Sequence, residues 1–121
     1  MNSKKIIIVD DDTAILDSLS VMLDYEGFDV NAFQRGTEIF PFVESVSKPD
    51  LILLDIWLSG EDGRDICKKL KENEFTKNIP VVMMSAGRDL EKAAYSSGAT
   101  AFISKPFEIE EVVDTLYQLT S

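Results

Sequence analysis

The sequence predicts an α/β fold of five βα units, one parallel sheet with helices on both faces, a three-layer sandwich. Three observations carry this. Short runs of continuous apolar residues recur along the chain, as strands buried on both faces require. Between them lie segments whose apolar residues repeat at helical spacing. No internal repeat, low-complexity tract or linker interrupts the alternation, so residues 1–121 read as a single domain.

The first unit opens with "KIIIV" (5–9), apolar on both faces. Ile15, Leu19, Met22 and Leu23 then recur at helical spacing over 13–26, and Gly27 follows as a stop. Asp12 stands where a side chain caps that helix, with Thr13 as the other candidate. "FDVNAF" (28–33) alternates as the second strand, and 37–47 read as its helix, with Pro41 blurring the start. "LILLD" (51–55) is the third strand, followed by a helix over 63–73 with Ile66, Cys67 and Leu70 on one side. "IPVVMMS" (79–85) is the fourth strand, which makes Met83 and Met84 core residues. A short polar helix over 89–97 ends at Gly98. "TAFIS" (100–104) is the fifth strand. The last helix spans 108–120, with Val112, Val113, Leu116 and Leu119 inward and Glu108, Glu110 and Glu111 at its positive N-terminal end.

Composition narrows the function. A chain of 121 residues, 45% of them hydrophobic, supports one core. There are 22 acidic residues, 12 basic residues and no histidine, a formal charge of −10 that opposes unaided nucleic-acid binding. Without histidine, His-based catalysis on this chain is excluded. The single cysteine, Cys67, rules out a disulfide framework or a cysteine zinc site, and its place on an apolar helix face marks it as packing. "KKLK" (68–71) reads as a solvated helix face. No apolar run approaches membrane-spanning length and "MNSKK" lacks a signal-peptide core, so the cytoplasm is the expected location.

In open parallel sheets, ligands sit beyond the carboxyl ends of the strands. The first strand leads into Asp10 and Asp11, the third ends in Asp55, the fourth in Ser85, and the fifth runs into Lys105 before Pro106. In the strand order 2-1-3-4-5 these four strands are neighbours. With strands about 4.8 Å apart, Asp55 lies between the acid pair and Ser85, and a lysine side chain covers most of the distance from Lys105. Three adjacent carboxylates repel: two like charges 4 Å apart cost about 4 kcal/mol at an effective dielectric of 20. A hard divalent cation relieves that cost, and oxygen ligands without His or Cys partners suit Mg2+ rather than zinc. Phosphoryl transfer onto a carboxylate needs this set of groups, and Asp55, between the acid pair and Ser85–Lys105, is the best nucleophile.

At these residues the sequence resembles the receiver domain of two-component response regulators, of the stand-alone single-domain type. "IIIVDDD", "PDLILLDIWLSGEDG", "VVMMSA" and "GATAFISKPF" match its motifs in order and at the usual spacing, over essentially the whole chain. The resemblance implies the flavodoxin-like fold, with Asp55 as phosphoacceptor from a partner histidine kinase or His-phosphotransfer protein. It implies Mg2+ (or Mn2+ in its place) held directly by Asp11, Asp55 and the Trp57 backbone carbonyl, with Asp10 acting mostly through water. Ser85 and Lys105 are implied to bind the phosphoryl group, the Lys105–Pro106 bond to be cis, and Phe102 to be the aromatic switch. Phosphate would draw Ser85 towards it, Phe102 would fill the space left, and the surface of helix four, strand five and helix five would change its affinity for an unknown output protein. The same surface is where a homodimer is expected if one forms.

Four positions depart from the family pattern. Ser59 replaces a usual proline before Gly60, and Phe102 replaces a frequent tyrosine. Trp57 and Gly87 stand where the family tunes loss of phosphate, and neither side chain can orient a hydrolytic water, so a long-lived phosphoryl group is expected. Two other functions compete. One is a haloacid-dehalogenase-type phosphatase with Asp10 as nucleophile, disfavoured because Thr13 sits next to Asp12 rather than two beyond it and because the chain is short. The other is a receiver-shaped adaptor that is never phosphorylated, against which the complete set of site residues argues.

Overall fold

The structure is a computed structural model, and it describes residues 3–120. Ten main elements alternate: β1 Lys5–Val9, α1 Thr13–Tyr25, β2 Asp29–Phe33, α2 Ile39–Ser45, β3 Leu51–Asp55, α3 Gly63–Glu72, β4 Val81–Ala86, α4 Glu91–Ser96, β5 Ala101–Lys105 and α5 Ile109–Thr120. The strands form one parallel sheet of order β2-β1-β3-β4-β5, the flavodoxin-like arrangement.

The apolar strands work by alternation. Ile7, Val9, Ile52, Leu54, Val81, Met83 and Phe102 face one core, against Ile39 and Val43 of α2 and Ile66, Cys67 and Leu70 of α3. Ile6, Ile8, Leu51, Leu53, Val82, Met84 and Ile103 face the other, against Leu16, Leu19 and Leu23 of α1 and Val112, Val113 and Leu116 of α5. Successive residues thus feed opposite cores, as the two-residue period of a strand dictates. The edge strand β2 alternates less cleanly than its sequence suggests, with no residue fully buried.

Several boundaries shift for local reasons. A 3-10 turn, Gly36–Glu38, precedes α2, and Pro41 falls in its first turn, where a missing N–H costs nothing. Strand β4 begins at Val81 rather than Ile79, because Pro80 has no N–H to donate, although its carbonyl accepts from Ile52 N–H at 3.0 Å. Asp12 is the cap of α1: its carboxylate accepts from Ala14 N–H at 3.0 Å and Ile15 N–H at 3.3 Å. Between β3 and α3 the chain makes a two-stranded hairpin, Trp57–Leu58 against Glu61–Asp62, which sequence periodicity does not predict.

One sequence reading needs correction. Lys71 does not belong to a solvated face. Its ammonium donates to the Ile79 carbonyl at 2.7 Å and the Lys77 carbonyl at 3.5 Å, and burial lowers its pKa. It ties α3 to the segment entering β4. Among the described residues, no helix is long and apolar enough to cross a membrane.

Candidate functional site

The parallel sheet delivers its polar residues to one edge. Asp10 follows β1, Asp55 ends β3, Ser85 lies near the end of β4, and Lys105 ends β5. Asp10, Asp55 and Ser85 are all buried, which is unusual for such residues without partners. The register pairs Asp55 with Met84, which sets Ser85 one residue further on the neighbouring strand.

Lys105 supplies the partner. Its ammonium donates to Asp10 Oδ2 at 2.7 Å and lies 3.3 Å from Asp55 Oδ1. It reaches over the ends of β4 and β3 to do so, further than the two strand spacings to Asp55 alone. Asp10 Oδ1 accepts from the Asp12 backbone N–H at 2.9 Å, so both Asp10 oxygens carry a protein donor. The Lys105–Pro106 peptide is cis.

The electrostatics follow from this packing. Burial pushes the Asp55 carboxyl from 3.8 up to about 6; the charge on Asp10 adds to the rise, the charge and hydrogen bond of Lys105 oppose it, and Asp11 contributes a smaller rise. Burial alone lowers the Lys105 pKa, but its hydrogen bond to Asp10 and the charges of Asp55 and Asp10 outweigh that, so the net shift is upward. Asp55 is therefore mainly ionised at neutral pH, yet costly to keep so. A bound cation reduces that cost.

Asp10, Asp11 and Asp55 each offer a carboxylate oxygen, and these three atoms lie within 4.8 Å of one another. An octahedral ion with bonds of about 2.1 Å needs ligand oxygens roughly 3 Å apart when adjacent and about 4.2 Å apart when opposed. The all-oxygen set, gathered within that span, suits a hard divalent cation of the magnesium kind.

Sequence reasoning missed three contributors. Gly63 opens α3 against the end of β3: its N–H donates to the Ile56 carbonyl at 2.7 Å, and a Cβ there would come within 2.8 Å of Ile56 Cα and strike the Asp55 carbonyl. Glu61 of the hairpin accepts from Gly36 N–H at 2.6 Å and Thr37 N–H at 3.2 Å, tying the hairpin to the entry of α2. The Arg64 guanidinium sits 5.2 Å from the centre of the exposed Trp57 ring and forks onto Asp62. Only the glycine stood at a predicted boundary, the start of the helix over 63–73, and nothing there announced its contact with β3.

Phe102 is buried at 7% exposure. The expected inward swing of its ring therefore has little distance left from this conformation. By strand alternation Ser85 falls on the same face as Met83, the register partner of Phe102. Gly87 has φ +72° and open space where a Cβ would stand.

The family model of the response regulator receiver domain matches residues 6–117. The chain belongs to that family. This receiver domain is 38% identical over 111 residues to the DNA-binding dual master transcriptional regulator RpaA of Synechocystis, covering 90% of this chain and 46% of RpaA. It is 36% identical over 112 residues to the DNA-binding response regulator MtrA of Mycobacterium tuberculosis, covering 91% of this chain and 47% of MtrA. The chain thus spans about half the length of the curated relatives it matches. Among solved structures, the chemotaxis response regulator CheY4 of Vibrio cholerae superposes with a TM-score of 0.88 at 25% identity, covering 98% of this chain and 99% of that one. A CheY-like receiver domain protein of Methanospirillum hungatei gives a TM-score of 0.86 at 29% identity, covering 97% and 93%. The domain is thus a receiver of two-component signalling, a family whose members are phosphorylated by histidine kinases.

Proposed function

We propose that Asp55 accepts the phosphoryl group, in a magnesium-dependent transfer from a sensor histidine kinase or His-phosphotransfer protein. One observation supports this above the rest: a single lysine ammonium bridges Asp10 and Asp55 beneath an all-oxygen cluster. An Asp55 oxygen attacks phosphorus as the phosphorus–nitrogen bond to the donor imidazole breaks, and the imidazole leaves with the bonding electron pair. Lys105 then turns its ammonium to a phosphoryl oxygen, and Ser85 donates its hydroxyl to another. Asp11, Asp55 and the Trp57 carbonyl would hold the ion directly, and Asp10 would act mostly through water. When bound, Mg2+ (or Mn2+) neutralises charge on the transferring oxygens.

Phosphate at Asp55 shifts Ser85, and Phe102, on the same face, senses the change. The ring already lies inward, so the response lies in how firmly it is held there. The surface of α4, β5 and α5 carries the output to a partner, and the reaction is placed in the cytoplasm. A phosphatase with Asp10 as nucleophile fits less well, because Asp10 is fully buried with both oxygens engaged.

The test mixes the protein with magnesium and labelled acetyl phosphate, with Asp55→Asn and Asp10→Asn as comparisons. Label retained on the wild-type chain and lost in Asp55→Asn supports the reading. Continuous turnover abolished only by Asp10→Asn would replace it with the phosphatase, and no label on any form would leave the adaptor.

A further inference from the structure

Each acid of the cluster has a protein donor. Asp10 has Lys105 and the Asp12 N–H, and Asp55 has Lys105. For Asp11, the acid nearest solvent, the donor is Ser59: its hydroxyl gives a 2.8 Å hydrogen bond to Asp11 Oδ2 across 48 residues of sequence. We propose that Ser59 is a positioning residue for the divalent cation, holding the Asp11 carboxylate in the orientation that presents it to the site. This rests on the metal-dependent reading above.

The hairpin turn explains how a serine can do this. Leu58 pairs with Glu61, which leaves Ser59 and Gly60 as the two central residues. Gly60 has φ +75°, and no non-glycine residue among those described has positive φ. A positive φ at the second central residue alone is the pattern of a type II turn, whose first central position favours proline because its ring presets φ. Ser59 gives up that restraint and supplies a hydroxyl. Two further contacts steady the hairpin: Glu61 on the α2 entry and Gly63 on Ile56. The hydroxyl is thus presented from an anchored loop.

A carboxylate oxygen has lone pairs to spare, so accepting from Ser59 leaves Asp11 free to ligate. Hydrogen bonds of this outer kind fix ligand orientation, and their loss typically weakens metal affinity about 10- to 100-fold. The Ser59–Asp11 pair is solvent-accessible, which puts the expected loss at the low end, about tenfold.

The experiment titrates MgCl2 into the full chain, following Trp57 fluorescence and, independently, calorimetric heat. Ser59→Ala and Ser59→Pro are expected to raise the Kd about tenfold, and Ser59→Thr, which keeps the hydroxyl, to leave it near wild type. Thermal melts in EDTA should superpose for wild type, Ser59→Ala and Ser59→Thr, with Ser59→Pro melting slightly higher because its ring presets φ. The phosphorylation rate from acetyl phosphate should fall at limiting magnesium and recover at saturation. A Ser59→Ala or Ser59→Pro protein with wild-type Kd would overturn the proposal. So would a Ser59→Thr protein as weak as Ser59→Ala, which would assign the effect to the turn. A wild-type chain that binds no magnesium would overturn the metal-dependent reading itself, so the two failures are distinct.

Discussion

Replacing Asp55 by asparagine should make the metal-free domain more stable. Burial and the neighbouring acids raise the folded-state pKa of Asp55 from 3.8 to about 6. The folded state therefore binds the proton more tightly than the unfolded chain. Stability from this group is present at low pH and lost as pH climbs from about 4 to about 6. At 1.36 kcal/mol per pH unit, the ionised carboxylate costs the fold about 3 kcal/mol at pH 7.5, and about half that at pH 5. The asparagine side chain carries no charge and keeps an acceptor oxygen for Lys105. For a domain of this size, about 4 °C of melting temperature accompanies each kcal/mol, so Asp55→Asn should gain up to about 12 °C at pH 7.5 in EDTA. At pH 5 the gap should shrink to about half. Saturating magnesium should also narrow it, because the ion binds the wild-type cluster more tightly and stabilises that fold. Thermal unfolding followed by circular dichroism measures each quantity. An Asp55→Asn protein no more stable than wild type at pH 7.5, or a gap that ignores pH, would refute the claim that Asp55 is held charged at the fold's expense.

Three further outcomes are expected. Lys71→Met should destabilise the domain by about 1–3 kcal/mol in urea unfolding, since it strips the Ile79 carbonyl of its donor, whereas Lys68→Met on the exposed face should change stability by less than about 0.5 kcal/mol. Gly63→Ala should cost about 1–3 kcal/mol from overpacking and should also blunt the fluorescence response of Trp57 to magnesium, because the clash falls on the backbone of Asp55 and Ile56. The phosphoryl group of the wild-type domain should be lost slowly, and Trp57→Asn should shorten its half-life in a label-retention assay by giving water a hydrogen-bonding partner. Rapid loss unchanged by that substitution would sink the assignment.

The sheet was legible because its strands are buried on both faces. "LILLD" and "IIIV" have one reading at that length between helical segments, and right-handed crossovers leave few orders for five such strands. Topology then brought Asp10, Asp55, Ser85 and Lys105 to one edge without any knowledge of their side-chain contacts. The hairpin of Trp57–Asp62 escaped because its strands are two residues each and carry no period. Its ties, Glu61 to the α2 entry and Ser59 to Asp11, join residues 25 and 48 apart, so no local pattern announces them. Lys71 was misread for a similar reason. Charge in a helical run suggests solvent, and only the packed chain shows two carbonyls waiting for its ammonium.

The reach of Lys105 sets up a competition. One ammonium serves two carboxylates from different strands. Under the proposed reaction, a phosphoryl oxygen becomes a third claimant. The ammonium has three N–H donors, so it can reach all three, but as it turns towards the phosphoryl oxygen its charge is shared more widely and its contact with Asp10 Oδ2 weakens. A buried carboxylate in that position leans harder on the cation. Phosphate and metal then strengthen each other's hold, and by linkage the factor is the same in both directions. A domain wired this way reports two chemical quantities as one, because neither charge is fully settled until the other has arrived.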